Sequence, residues 1–220
     1  MSAAADIRIP RDILPSDGRF GCGPSKVRPE QAQALFDAHR DLLGTSHRQA
    51  PVKHLVGDVR HGLKELFGLP RDWEILLGNG GSTMFWDAAT FGLVRSRSEH
   101  YVFGEFSSKF AEAVSAAPHL GEPTVIRTDP GTHPAAVAES GVDTYALTHN
   151  ETSTGVTQPI LPDLAKLVHS RDGAVLLVDA ISSLSSVPVK VDEWDLDVVL
   201  SGSQMGWMTA PGLAFVSMNE

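Results

Sequence analysis

Ala174-Val175-Leu176-Leu177-Val178-Asp179 is the stretch that decides the fold. Five apolar residues in succession, with no polar alternation, describe a strand covered on both faces, as the centre of a parallel sheet must be. Around it, short apolar runs at residues 74–77, 101–103, 124–126, 144–148, 198–200 and 213–216 alternate with segments of helical period. Those segments lie at 30–43, 55–67, from Thr83 to about Val94, at 106–117, and at 162–169, where Pro162 sits near the helix start and its missing N–H is harmless. Strand–helix alternation of this kind predicts an α/β fold, a three-layer αβα sandwich with a mostly parallel central sheet. The last strand ends at Glu220 with no closing helix, which reads as a chain cut short.

Composition narrows the function classes. The chain has 220 residues, 42% hydrophobic and 20% charged, an ordinary globular balance. A net charge of −9 without a basic stripe argues against nucleic acid as a partner. No apolar run approaches the ~18–20 residues of a membrane helix, and residues 1–15 lack the apolar core of a signal peptide. Cys22 is the single cysteine, so no intramolecular disulfide framework exists. A cytoplasmic protein is expected. The nine histidines show no paired His/Cys spacing, so no metal site is expected. A G-x-S-x-G elbow is also missing, which leaves a serine hydrolase unsupported.

Several loops carry residues suited to chemistry. Gly80-Gly81-Ser82-Thr83 lies between a strand and a helix, where glycines admit an anion and the helix start offers unpaired N–H groups. The same loop fits a tight turn capped by Ser or Thr equally well. Gly78-x-Gly80, with Glu105 after the next strand, makes a weak dinucleotide fingerprint because Thr83 replaces its third glycine, and so a weak case for a nicotinamide-dependent oxidoreductase. Asp179 falls at the carboxyl end of the most apolar strand, where open α/β sheets bind ligands. Such a carboxylate needs a cationic or hydrogen-bonding partner, and a protonated pyridine nitrogen would serve. Taken alone, Asp179 fits better as a cap of the next turn through Ser182 or Ser183. Asn150-Glu151-Thr152-Ser153-Thr154-Gly155 follows a strand and offers hydroxyls, or is simply a polar turn. Phe106 could stack on a flat ring or belong to the core. His47 and Arg48, between two helices, suit a phosphate or carboxylate, or form a solvated pair.

Together these segments resemble the class V, fold-type I pyridoxal-phosphate aminotransferases over nearly the whole chain. Residues 18–155 are most similar to the phosphoserine aminotransferases of actinobacterial type. The pieces that carry this are Gly18-Arg19-Phe20-Gly21-Cys22-Gly23-Pro24-Ser25-Lys26-Val27-Arg28-Pro29, Gly44-Thr45-Ser46-His47-Arg48-Gln49, Leu77-Gly78-Asn79-Gly80-Gly81, Phe85-Trp86-Asp87, Gly104-Glu105-Phe106-Ser107-Ser108-Lys109-Phe110 and His149 to Gly155. Val178 to Ser183 and Ser201 to Phe215 lie closer to the alanine–glyoxylate branch.

The resemblance implies a cofactor-binding large domain over 18–220 preceded by an arm at 1–17, with the C-terminal small domain absent. It implies pyridoxal 5′-phosphate as cofactor, with Gly81, Ser82, Thr83 and Gln204 at its phosphate, and Phe106 against its ring. Thr152 would meet the ring oxygen with Ser182 nearby, and Asp179 the pyridine nitrogen. His47 and Arg48 would face a phosphorylated substrate. The partners implied are small amino and keto acids and a second copy of the chain, since relatives work as homodimers whose pockets the neighbour completes. The implied reaction moves an amino group between glutamate and 3-phosphohydroxypyruvate, a step of serine biosynthesis. One position departs from the pattern. Met205 stands where the family has its Schiff-base lysine, and a thioether can neither form that link nor shuttle a proton. Lys109 and Lys190 are the nearest lysines to the site segments, and neither follows Gly202-Ser203-Gln204. Met205 and Asp179 are therefore the positions on which catalysis turns, and a non-catalytic cofactor-binding homologue stands as the alternative.

Overall fold

The apolar run around Leu177 is indeed an inner strand. In the computed structural model, which describes residues 8–19 and 21–219, the strands are β1 (Glu74–Gly80), β2 (Ser98–Val102), β3 (Thr124–Arg127), β4 (Thr144–Thr148), β5 (Asn150–Glu151), β6 (Val156–Thr157), β7 (Val175–Asp179), β8 (Val198–Gly202) and β9 (Gly212–Met218). Seven of them form one sheet in the order β1-β9-β8-β7-β4-β2-β3, while β5 and β6 make a separate two-stranded ribbon. The pairs β2–β3, β2–β4, β4–β7 and β7–β8 are parallel, and β9 runs antiparallel to both β8 and β1. The sheet is thus mostly parallel, with its antiparallel part confined to one side.

The helices are α1 (Pro29–Asp37), α2 (His39–Leu42), α3 (Ala50–Leu66), α4 (Ser82–Gly92), α5 (Glu105–Ser115) and α6 (Leu161–His169). Strand alternation sends side chains to two separate cores. Tyr145, Leu147, Leu176, Val178 and Val199 face one side, where Leu161, Leu164, Ala165 and Val168 of α6 cover them. Ala146, Leu177, Val198 and Leu200 face the other, under Phe85, Trp86 and Ala89 of α4 and Phe110 and Val114 of α5. Helices on both faces make the expected three layers.

Two boundaries differ from the periodicity. The helix expected over 30–43 breaks at Ala38, where ψ is 0°, into α1 and α2. The helix expected from 55 begins at Ala50, because Pro51 sits in its first turn where no N–H is needed. Of the expected arm at 1–17, residues 1–7 lie outside the described residues, as do Phe20 and Glu220. Among the described residues no helix is long and apolar enough to cross a membrane, and no group of three or more metal-ligating side chains occurs.

Candidate active site

Parallel strands end on the same side of the sheet, so the loops after β4, β7 and β8 converge there with the start of α4. A cavity of about 390 Å³ opens at this edge, lined among others by Gly81, Ser82, Thr83, Phe106, Thr152, Ser182, Gln204 and Met205. Eight positions singled out in the sequence, from five separate segments, are therefore brought together. Asp179 lies buried beneath them at 1% exposure.

The environment of Asp179 is the chemical centre of the arrangement. Its carboxylate accepts hydrogen bonds from the Ile181 N–H at 3.0 Å and the Trp86 indole N–H at 3.3 Å. It does cap the following turn, though through Ile181 and not through Ser182 or Ser183. Among the described residues no cation pairs with it. Burial dominates these two bonds and pushes the carboxyl up to about 6. A buried carboxylate in want of a cation is the feature that a protonated ring nitrogen would satisfy.

At the opposite wall, α4 begins at Gly81 without any side-chain cap. The capped-turn alternative for this loop therefore fails, and the helix start keeps its free N–H groups. The Ser82 hydroxyl is buried against Asp179, which it steadies only weakly because the pair falls short of full hydrogen-bond geometry, and the Gln204 side-chain oxygen is buried without a partner. Orphaned donors and acceptors of this kind cost ~1–3 kcal/mol each unless a ligand or water meets them. Thr152 and Ser182 share a hydroxyl–hydroxyl bond of 2.5 Å at the third wall.

Met205 is held by its own loop. Ser203 Oγ donates to the Ala210 carbonyl at 2.7 Å, Thr209 Oγ1 to the Ser203 carbonyl at 2.8 Å, and the Met208 N–H to the Met205 carbonyl at 2.9 Å. The N-terminal segment closes over it, with the Ser25 N–H donating to the Gln204 carbonyl at 2.6 Å. Gly23 has φ +152°, which disfavours a side chain, and a Cβ there would stand 2.7 Å from the Met205 sulfur unless that thioether moved. Among the described residues no lysine lines the cavity. Lys109 pairs with Glu105 at 3.0 Å and Lys190 with Glu193 at 2.8 Å, both on the surface.

Other positions fall elsewhere. His47 and Arg48 sit in the exposed loop between α2 and α3 and do not line the cavity. Gly78 and Gly80 lie within β1, which pairs antiparallel with β9. A dinucleotide fingerprint requires a parallel βαβ unit, so that reading is corrected. Sequence reasoning gave no role to Trp86, Cys22, Gly23, Pro24 or Ile181, all of which line the cavity. Trp86 had a signal, since an indole one turn into α4 needs a buried acceptor.

Known proteins resemble this chain in both sequence and fold. Residues 129–220 match the aminotransferase class-V family. A phosphoserine aminotransferase of Nocardioides is 54% identical over 190 residues, 86% of this chain and 50% of that protein. A putative phosphoserine aminotransferase of Mycolicibacterium paratuberculosis is 54% identical over 195 residues, 89% of this chain and 51% of the relative. The chain thus spans about half the length of the curated relatives it matches. Among solved structures, a phosphoserine aminotransferase from Cytophaga hutchinsonii superposes with a TM-score of 0.81 at 27% identity, covering 90% of this chain and 54% of the other. An alanine–glyoxylate aminotransferase from Nostoc shares the fold, with a TM-score of 0.76 at 22% identity over 100% of this chain and 58% of that one.

Proposed function

We propose that the cavity is the pyridoxal 5′-phosphate site of a phosphoserine:2-oxoglutarate aminotransferase, present here in a form that holds the cofactor without a covalent link. The observation that carries this is the convergence of an uncapped helix start and the Ser82 hydroxyl at one cavity, with Asp179 buried next to its lining residues and without a cation. Their chemistry fits the group. Gly81, Ser82, Thr83 and Gln204 would hold the phosphate, Phe106 would cover the ring, Thr152 and Ser182 would meet its oxygen, and Asp179 would face its nitrogen. When bound, the cofactor supplies an electron sink for bonds at the substrate α-carbon. Asp179 would hold its charge toward a protonated ring nitrogen, and Trp86 and Ile181 fix the carboxylate's direction.

Two partners follow from the same reading. Small amino and keto acids are the substrates, glutamate and 3-phosphohydroxypyruvate first, with an alanine–glyoxylate type of exchange as the alternative supported by the 178–215 segment. A second copy of the chain is the other partner. His47 and Arg48 are exposed and outside the cavity, so their role toward a substrate phosphate belongs to a homodimer. This chemistry is that of a cytoplasmic biosynthetic enzyme.

Met205 favours one further reading, a cofactor-binding homologue with little turnover. Its thioether can neither link to the cofactor nor carry a proton to or from the substrate, and losing a positioned acid–base group costs ~10²–10⁴-fold. Titration of the chain with pyridoxal 5′-phosphate tests the assignment. Saturable, reversible binding that weakens at least tenfold in Asp179→Asn is expected, and absence of binding to the unaltered chain contradicts it.

A further inference from the structure

Two of the cavity walls are joined by a carboxylate that does not itself line the cavity. Glu151, in β5, is fully buried at 0% exposure. It receives the Ser107 N–H at 2.9 Å, the Ser107 hydroxyl at 2.8 Å, the Phe106 N–H at 3.3 Å, the Ser153 hydroxyl at 2.7 Å and the Ser153 N–H at 3.2 Å. Ser153 Oγ in turn receives the Glu105 N–H at 2.9 Å. The first three N–H groups of α5, which no intrahelical acceptor can reach, are thus all taken by the 151–153 segment. A negative charge at a helix start gains from the helix dipole as well as from charge-assisted bonds.

The space for this contact is reserved at Gly104. A Cβ there would lie 2.3 Å from Glu151 Cγ and 2.6 Å from Ser153 Oγ. Gly104 is extended, so sterics alone require glycine. The consequence reaches the cavity through chain neighbours. Phe106 lies between Glu105 and Ser107, and Thr152 between Glu151 and Ser153, so the aromatic wall and the hydroxyl wall are tied at one point.

We infer that Glu151 is a positioning residue, whose buried carboxylate sets the spacing between Phe106 and Thr152 and thereby the cavity's affinity for a flat phosphorylated ring. This rests on the cofactor reading above. Burial works against its ionisation, but the hydrogen bonds from Ser107 and Ser153 outweigh that effect and hold the carboxyl below its ordinary range. The clamp is therefore charged throughout the neutral range. A neutral amide at this place keeps the shape yet turns two of its hydrogens toward N–H donors.

The test measures binding of pyridoxal 5′-phosphate by tryptophan quenching, together with amide exchange at Phe106 and Ser107. Glu151→Gln is expected to weaken binding about tenfold to a hundredfold, the scale on which misplacing a group by an ångström acts. Glu151→Asp, which keeps the charge, is expected to recover part of the loss. Gly104→Ala should match Glu151→Gln, and the double variant should add little, because both release one clamp. Inorganic phosphate, which would meet the Gly81–Thr83 loop and Gln204 but neither Phe106 nor Thr152, should bind all variants that fold equally well. Should the glutamine variant fail to fold, Ser153→Ala supplies a milder version with a several-fold loss expected. An unaltered chain that binds, with variants that lose stability but keep the same affinity, overturns the clamp alone. An unaltered chain that does not bind overturns the cofactor reading, and the clamp falls with it.

Discussion

Helices α4, α5 and α6 each bury four or more residues, whereas α1, α2 and α3 bury none. The contrast is not one of composition. Leu35, Phe36, Leu43, Leu55, Val56, Val59 and Leu66 give the N-terminal helices an apolar face, and all of them are exposed. The helices of the sheet domain are covered by their own sheet and place the cavity at its edge. The first half presents apolar surface that a single copy of this chain leaves uncovered. Amphipathic pattern therefore marks where a helix seeks cover, and the topology decides whether the same chain provides it.

The largest effects should separate those halves. Leu177→Ala removes a fully buried side chain and should cost about 2–5 kcal/mol in denaturant unfolding. Phe36→Ala, at 68% exposure, should change an isolated copy by less than about 0.5 kcal/mol. Equal costs would break the comparison.

Asp179 should show a smaller effect, in the direction of greater stability. Its folded carboxyl, raised to about 6, binds a proton more tightly than in the unfolded chain. Stability of the ligand-free chain should then fall as pH rises from about 4 to about 6, by on the order of 3 kcal/mol at most, and level off above. Asp179→Asn should abolish that slope and leave the ligand-free chain more stable at neutral pH, while weakening its hold on the cofactor. A flat pH profile in the unaltered chain would show that the carboxylate is not dry.

The smallest effect lies far from the site. At the end of α6, His169 has Asp195 within 2.8 Å and Asp197 within 3.0 Å. Burial alone would lower it, yet Asp197 and Asp195 together raise it above its ordinary value. This contribution is present below the unfolded value and lost as pH rises through the folded one. His169→Gln should accordingly cost under about 1 kcal/mol at pH 6 and less at pH 9. Thermal unfolding at the two pH values reads the difference, and a cost that grows with pH would contradict it.

Much of this was legible in the residues. Unbroken apolarity at 174–178 gave a central strand, and turn chemistry placed the Gly81 loop at a helix start. The antiparallel β9 was not legible, because a run such as Leu213-Ala214-Phe215-Val216 reads the same in either direction. Nor was the role of Glu151, since a glutamate in a polar loop gives no sign of burial until α5 is placed against it. Trp86 offered half a signal, an indole in need of an acceptor, but that acceptor, Asp179, is 93 residues away. Long-range pairing is what periodicity cannot supply.

Position 205 gives the most direct test of the account. The chain and its Met205→Lys variant would each be loaded with pyridoxal 5′-phosphate, treated with borohydride, denatured and weighed by mass spectrometry. Retention of the label in Met205→Lys, with none in the unaltered chain, is the expected result. A borohydride-stable label on the unaltered chain, or none on the lysine variant, would place the cofactor somewhere other than this cavity.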